Sequence, residues 1–173
     1  MGTTRVTLAE LSAMEFEAFT EVLGGVFEHS LWVARGAWPA RPFEDLASLH
    51  AAMVEVVHSA TEERQLALVR AHPELAGKAA AEGTLTREST AEQASAGLDR
   101  CTPEELEAIA GLNRAYREKH GFPFIMAVRG ATRAAVLESM AERAANETEA
   151  ELARSLEEIG RIARMRLEAL IGE

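Results

Sequence analysis

A single cysteine, Cys101, stands in 173 residues, so no intrachain disulfide and no cysteine-based zinc cluster can form. Aromatic residues make up only 5% of the chain. The abundant letters are Ala, Leu, Glu and Arg, which favour helix. Positive charge is in deficit, with 18 Lys and Arg against 28 Asp and Glu and a net charge of −10. That balance argues against a nucleic-acid surface, which needs a basic stripe. A small anionic substrate stays open, because local charge can oppose the net charge. No apolar run approaches membrane-spanning length. The opening MGTTRVTLAEL has no apolar centre of the kind a secretion signal needs, so a cytoplasmic protein without membrane contact is expected.

What is present reads as helix after helix. The hydrophobic fraction of 47% and charged fraction of 27% suit a soluble globular protein, and the length suits one domain, 1–173. Thr7–Glu10 and Ser12–Glu15 each fit a capping box, the second opening a helix with Phe16, Phe19, Leu23 and Phe27 at helical spacing. HSLWVARGAWPARPF reads as a short helix and a turn, with Trp32 and Trp38 as core anchors or interface residues. A helix from about Phe43 to Ala60 should bury Leu46, Leu49, Met53, Val56 and Val57. Thr61 caps the next helix. Thr102-Pro103-Glu104-Glu105 starts another, which should bury Leu106, Ile109, Leu112 and Tyr116 and stop at Gly121. From Thr132 the chain is helical with a break near Asn146, and the last helix should bury Leu152, Leu156, Ile159, Ile162 or Ala163, and Leu170.

Three places depart from this pattern. The first is His72-Pro73: proline disfavours helical geometry at the residue before it, so the helix ends there and the imidazole sits at a fixed break. Its ordinary pKa near neutrality suits proton transfer, although a histidine before proline also serves as a plain polar loop residue. About twenty residues on, Ser89-Thr90-Ala91-Glu92-Gln93 sets a carboxylate and an amide among small residues that leave room for a ligand. Ser89 and Glu92 equally fit a capping box. The second is GFPFIMAVRG, an apolar, partly β-branched run that reads as an extended segment near residues 122–128. Its backbone groups need partners, and no second strand is evident. Side chains, water or an amide-like ligand could supply them. The third is Arg166, seven residues beyond Ile159 and on the apolar stripe of the last helix. An inward guanidinium needs an internal carboxylate or a bound anion, unless it snorkels to solvent.

Taken together, the stretches HPELAGK, LTRESTAEQASAGLD, LNRAYREKHGFPFIMAVRG and IARMRL resemble the OHCU decarboxylase family, whose enzymes act in urate catabolism. FEHSLWVARGAWPARPF resembles that family's N-terminal signature. The resemblance implies an all-α, single-domain helical bundle with one extended substrate-binding segment near 122–128. It also implies a homodimer and no metal or organic cofactor. The implied substrate is 2-oxo-4-hydroxy-4-carboxy-5-ureidoimidazoline, and the products are (S)-allantoin and carbon dioxide. Matched motif by motif, the catalytic residues are His72, Glu92 and Arg166. Pro73, Ser89 and Gln93 line the pocket, and Phe124, Ile125, Met126, Ala127 and Val128 bind substrate through the backbone. Leu31, Arg35-Gly36 and His120 depart from the family pattern, the last by replacing an aromatic before GFPF.

Two other classes compete with this reading. A non-catalytic helical module for a ureide or purine-like ligand could share the pocket. A metal-dependent hydrolase could use the same residue types, but no His-x-x-x-His pair stands on any expected helix.

Overall fold

The computed structural model describes residues 5–172; Met1–Thr4, part of the stretch read above for a leader, and Glu173 lie outside them. The described residues form ten α-helices. They are α1 (Leu8–Ala13), α2 (Phe16–Leu23), α3 (Leu31–Ala37), α4 (Leu46–His58), α5 (Glu62–Ala71), α6 (Lys78–Glu82), α7 (Arg87–Ser95), α8 (Pro103–His120), α9 (Arg133–Ala144) and α10 (Thr148–Leu170). Two-residue strands β1 (Val6–Thr7) and β2 (Ile171–Gly172) pair in parallel, Val6 beside Ile171. The mostly helical class expected from composition is observed. No helix among the described residues is long and apolar enough to cross a membrane. Contacts divide the chain into two compact units, residues 1–71 with 160–173, and His72–Ile159.

In the first unit, Phe19, Leu23 and Phe27 are buried as their spacing predicts, and Phe19 stacks on Phe43 at 6.1 Å. The capping box at Thr7 forms. That at Ser12 does not: Ser12 lies inside α1, its Oγ accepts the Phe43 amide at 3.1 Å, and α2 has Glu15 as its N-cap residue with no side-chain cap bond. A long-range acceptor role has displaced the local one. On α4 the fully buried residues are Leu49, Met53 and Val57, one narrow stripe, while Leu46 and Val56 flank it half-buried.

In the second unit, α8 begins with the Thr102–Glu105 capping box and ends at Gly121, whose φ of +75° is the left-handed conformation that glycine adopts without strain. Its buried face is Ile109, Asn113, Tyr116 and His120, whereas Leu106 is 44% exposed. The last helix also differs from expectation. Glu151, Ser155, Glu158, Ile159, Ile162, Ala163, Arg166 and Leu167 are buried, and Leu152, Leu156 and Leu170 are only half so. Polar residues occupy the centre of that face because each carboxylate there has a partner, as the site shows.

Candidate active site

The turn that carries His72 is built by breaking one helix and pinning the loop that follows. Helix α5 ends at Ala71, as Pro73 requires. His72 is only 7% exposed. The chain then turns sharply, with Ala76 at a φ of +48°. Gly77 is needed for close approach: a Cβ there would lie 2.7 Å from the Glu74 Cβ. Three side chains from distant positions hold the turn. Gln93 Oε1 accepts the Ala76 amide at 2.9 Å, Asn113 Nδ2 donates to the Leu75 carbonyl at 3.0 Å, and Arg117 pairs with Glu74 at 2.8 Å. The first two supply partners that an irregular buried backbone would otherwise lack.

Helix α7 brings the second cluster. Its N-cap is Thr86, whose hydroxyl accepts the Ser89 amide at 3.2 Å, so Ser89 and Glu92 do not form the capping box that their spacing allowed. Ser89 stands one turn inside the helix and Gln93 one turn further on the same face, and both are buried. Glu92, beside Gln93, is half-buried. Gln93 Oε1 is committed to the turn, and its amide nitrogen can act only as a donor. The second unit therefore collects His72, Pro73, Ser89, Glu92 and Gln93.

The segment after α8 belongs to the same unit. Residues 123–128 are neither helix nor strand, and among the described residues nothing pairs with them as a ladder. Their backbone is tied by side chains instead. Arg143 Nη1 donates to the Ile125 carbonyl at 2.6 Å, and the Ala127 amide donates to Glu158 Oε2 at 3.0 Å. Arg143 also lies over the Phe124 ring at 4.4 Å and pairs with Glu151 at 2.9 Å. Glu151 in turn accepts from Tyr116 Oη at 2.6 Å and Asn146 Nδ2 at 3.1 Å. Burial pushes the Glu151 carboxyl up, but the bonds from Tyr116 and Asn146 and the Arg143 charge outweigh it and hold it below the ordinary carboxylate value. Burial, reinforced by Glu151, raises the Tyr116 phenol, so it stays a donor. His120 fills the place of the expected aromatic with its ring, stacked on Phe122 at 5.8 Å and tied by Nδ1 to Thr148 Oγ1 at 2.8 Å. Burial lowers its pKa.

Arg166 belongs to the first unit, where Nη1 lies 2.8 Å from Glu28 Oε2 and donates to the Gly25 carbonyl at 3.0 Å. Both side chains of the pair are almost fully buried. Of the alternatives open in the sequence, an internal carboxylate is present. Sequence reasoning missed Glu28, and also Asn113, Arg143, Glu151 and Glu158. The available signal was a charged or amide letter at a position of helical spacing otherwise read as core. A cavity of about 600 Å³ beside the His72 turn is lined by Glu74, Gly77, Lys78, Leu106, Asn113 and Arg117, among others. Its lining includes none of His72, Ser89, Glu92 or Gln93, so it is a separate feature. No group of three or more His, Cys, Asp or Glu side chains suited to a metal occurs among the described residues.

The sequence model for OHCU decarboxylase matches residues 12–168. The chain belongs to the OHCU decarboxylase family. A 2-oxo-4-hydroxy-4-carboxy-5-ureidoimidazoline decarboxylase of Halalkalicoccus jeotgali is 40% identical over 96% of this chain and 93% of that protein. A mouse protein of the same name is 34% identical over 95% and 93%. A uric acid degradation bifunctional protein of Bacillus subtilis is 39% identical over 96% of this chain, which spans only 33% of it. Among solved structures, an (S)-allantoin synthase superposes with a TM-score of 0.79 at 33% identity, covering 96% of this chain and 54% of that one. An OHCU decarboxylase solved in the presence of (S)-allantoin shares the fold, with a TM-score of 0.70 at 22% identity over 92% of this chain and all of that one.

Proposed function

We propose that this chain decarboxylates 2-oxo-4-hydroxy-4-carboxy-5-ureidoimidazoline to (S)-allantoin and carbon dioxide in urate breakdown, with no cofactor. The observation behind this is the family match across residues 12–168, with relatives of that name aligned over more than nine-tenths of both chains. The fixed, buried His72 beside an irregular turn gives the chemistry a place.

The substrate carries its carboxylate on a ring carbon that also bears a hydroxyl and adjoins a C=N bond. When the carbon–carboxylate bond breaks, its electron pair forms a C=C bond to the adjacent carbon, and the C=N pair moves to nitrogen. Protonation of that nitrogen and tautomerisation then turn the hydroxyl into a carbonyl and place one proton on the adjacent carbon. The ring is its own electron sink. The protein must orient the carboxylate, stabilise developing charge and deliver the proton to one face. In this proposal His72 is the general acid/base and Glu92 orients it or the hydroxyl. Ser89, the Gln93 amide and the backbone of Phe124 to Val128 read the ureido and ring amides, and Pro73 shapes the wall. Arg166 is assigned an oxygen anion of the substrate, its guanidinium fixed by Glu28.

Circular dichroism of the allantoin formed from enzymatically oxidised and ring-opened urate tests the activity. Rapid appearance of one enantiomer is expected; slow, racemic product in the presence of folded protein would rule the proposal out. Arg166→Leu should raise KM about tenfold or more, the order of one charge-assisted hydrogen bond. Unchanged turnover with a higher melting temperature would reduce Arg166 to a buried structural ion. The resemblance further supports one functional domain and a cytoplasmic homodimer, and light scattering should give twice the 18.8 kDa chain mass.

A further inference from the structure

The peptide groups on either side of Met126 are each bonded to a buried charge at one end only. The Ile125 carbonyl and the Met126 N–H are the two ends of one peptide, and Arg143 donates to the carbonyl end at 2.6 Å. The Met126 carbonyl and the Ala127 N–H are the two ends of the next, and Glu158 accepts from the N–H end at 3.0 Å. Among the described residues, the inner ends, the N–H and C=O of Met126, have no hydrogen-bond partner. Met126 and Ala127 are also the half-buried part of a segment whose Phe124, Ile125 and Val128 are buried.

Hydrogen bonds along a peptide polarise one another. A cation on the Ile125 oxygen draws electron density from the amide and strengthens the Met126 N–H as a donor. A carboxylate on the Ala127 N–H pushes density the other way and strengthens the Met126 C=O as an acceptor. Satisfying two backbone groups does not require charge, since a neutral amide or hydroxyl side chain would serve. Burying ions instead costs several kcal/mol each before pairing, as an order of magnitude. Here each ion has a charged partner: Glu151 lies 2.9 Å from Arg143, and Arg154 lies 2.9 Å from Glu158.

The geometry points to Arg143 and Glu158 as positioning residues that polarise Met126 into a matched donor and acceptor for the –CO–NH– edge of a lactam or ureide. This rests on the reading that residues 124–128 face the substrate, and it names the residue and the ligand edge. Neither charged group touches the reacting atoms; both act through the peptide.

The test labels the six methionines with 15N and assigns the Met126 amide by its loss in Met126→Leu. The protein is then titrated with (S)-allantoin, and with hydantoin as a second cyclic ureide. The Met126 amide proton should move downfield and saturate with the ligand. In Glu158→Gln, which keeps an acceptor for Ala127 but not its charge, Kd for (S)-allantoin and KM for substrate should each rise about tenfold while kcat falls less. Arg143→Lys, which keeps a cationic donor, should retain most of the affinity. A Met126 amide that both ligands leave unmoved overturns the inference. So does a Kd in Glu158→Gln within about twofold of the parent at unchanged melting temperature. Turnover with a silent amide leaves the decarboxylase reading standing and removes this one. A responsive amide without turnover does the reverse.

Discussion

An imidazole can serve proton transfer only where its position is fixed, and the turn that carries residue 72 is held by Gln93, Asn113 and Arg117. His72→Ala and Glu92→Ala should each lower the enzymatic rate by about 10²–10⁴-fold, the usual worth of general acid–base catalysis, with the melting temperature little changed. Coupled loss of activity and fold in both variants would show that they support structure alone. Tyr116 offers a second test. Its hydroxyl helps hold the Glu151 carboxyl below the ordinary value of 4.5. A depressed carboxylate contributes stability that is complete above its unfolded-state pKa and is lost as pH falls through the folded-state value. Tyr116→Phe removes one of the lowering bonds, so acid unfolding should begin at higher pH than in the parent. At neutral pH the variant should lose about 1–3 kcal/mol, the range for a hydrogen bond to a charged group. Denaturant melts across pH 3–7 would check both; an unmoved acid limb would mean that Glu151 does not govern it.

The turn at residues 72–77 is the element on which the site depends. Gly77→Ala places a methyl against the Glu74 side chain, and something must shift. We expect a stability loss of about 1–3 kcal/mol, as for overpacking, and a larger fractional loss of kcat/KM than of stability, measured by melts and initial rates. Unaffected kinetics would show that the turn does not position His72. At this scale the sequence was readable wherever the signal was local. The Thr7 and Thr102 caps, the Pro73 break and the Gly121 stop depend on residues within one turn of each other, and all are present. It was misread where a distant group competes. Ser12, read as a local cap, is used by Phe43. On α10, Ile159, Ile162, Ala163 and Arg166 lie inward as read, but Leu152, Leu156 and Leu170 were weighed above carboxylates, whose burial at Glu151 and Glu158 rests on contacts with Tyr116, Arg143 and Arg154 that no periodicity reports.

For the molecule as a whole, the net charge of −10 opposes the encounter with a carboxylate-bearing substrate. Raising ionic strength from about 0.01 to 0.15 M shortens the screening length from about 30 to 8 Å. If encounter contributes to the rate, kcat/KM should therefore rise over that range in stopped-flow or initial-rate measurements. A fall would mean that local positive charge at the site outweighs the global field. The same contrast explains what could be read of the site. His72, Glu92 and Arg166 stood out because each breaks a local pattern. Glu28, Asn113 and Glu158 did not, because their roles are defined by partners many residues away.

Those separations bear on the order in which the chain is made. The partners that close the His72 turn lie 17 residues later, at Gln93 bonding Ala76, and 38 residues later, at Asn113 bonding Leu75, with Arg117 beyond them. A nascent chain released just before Asn113 would already contain His72, Glu92 and Gln93 and would still lack two of the three side chains that hold the turn. The turn is thus closed only after α8 has emerged and docked, a loop closure set by sequence separation and not by local propensity.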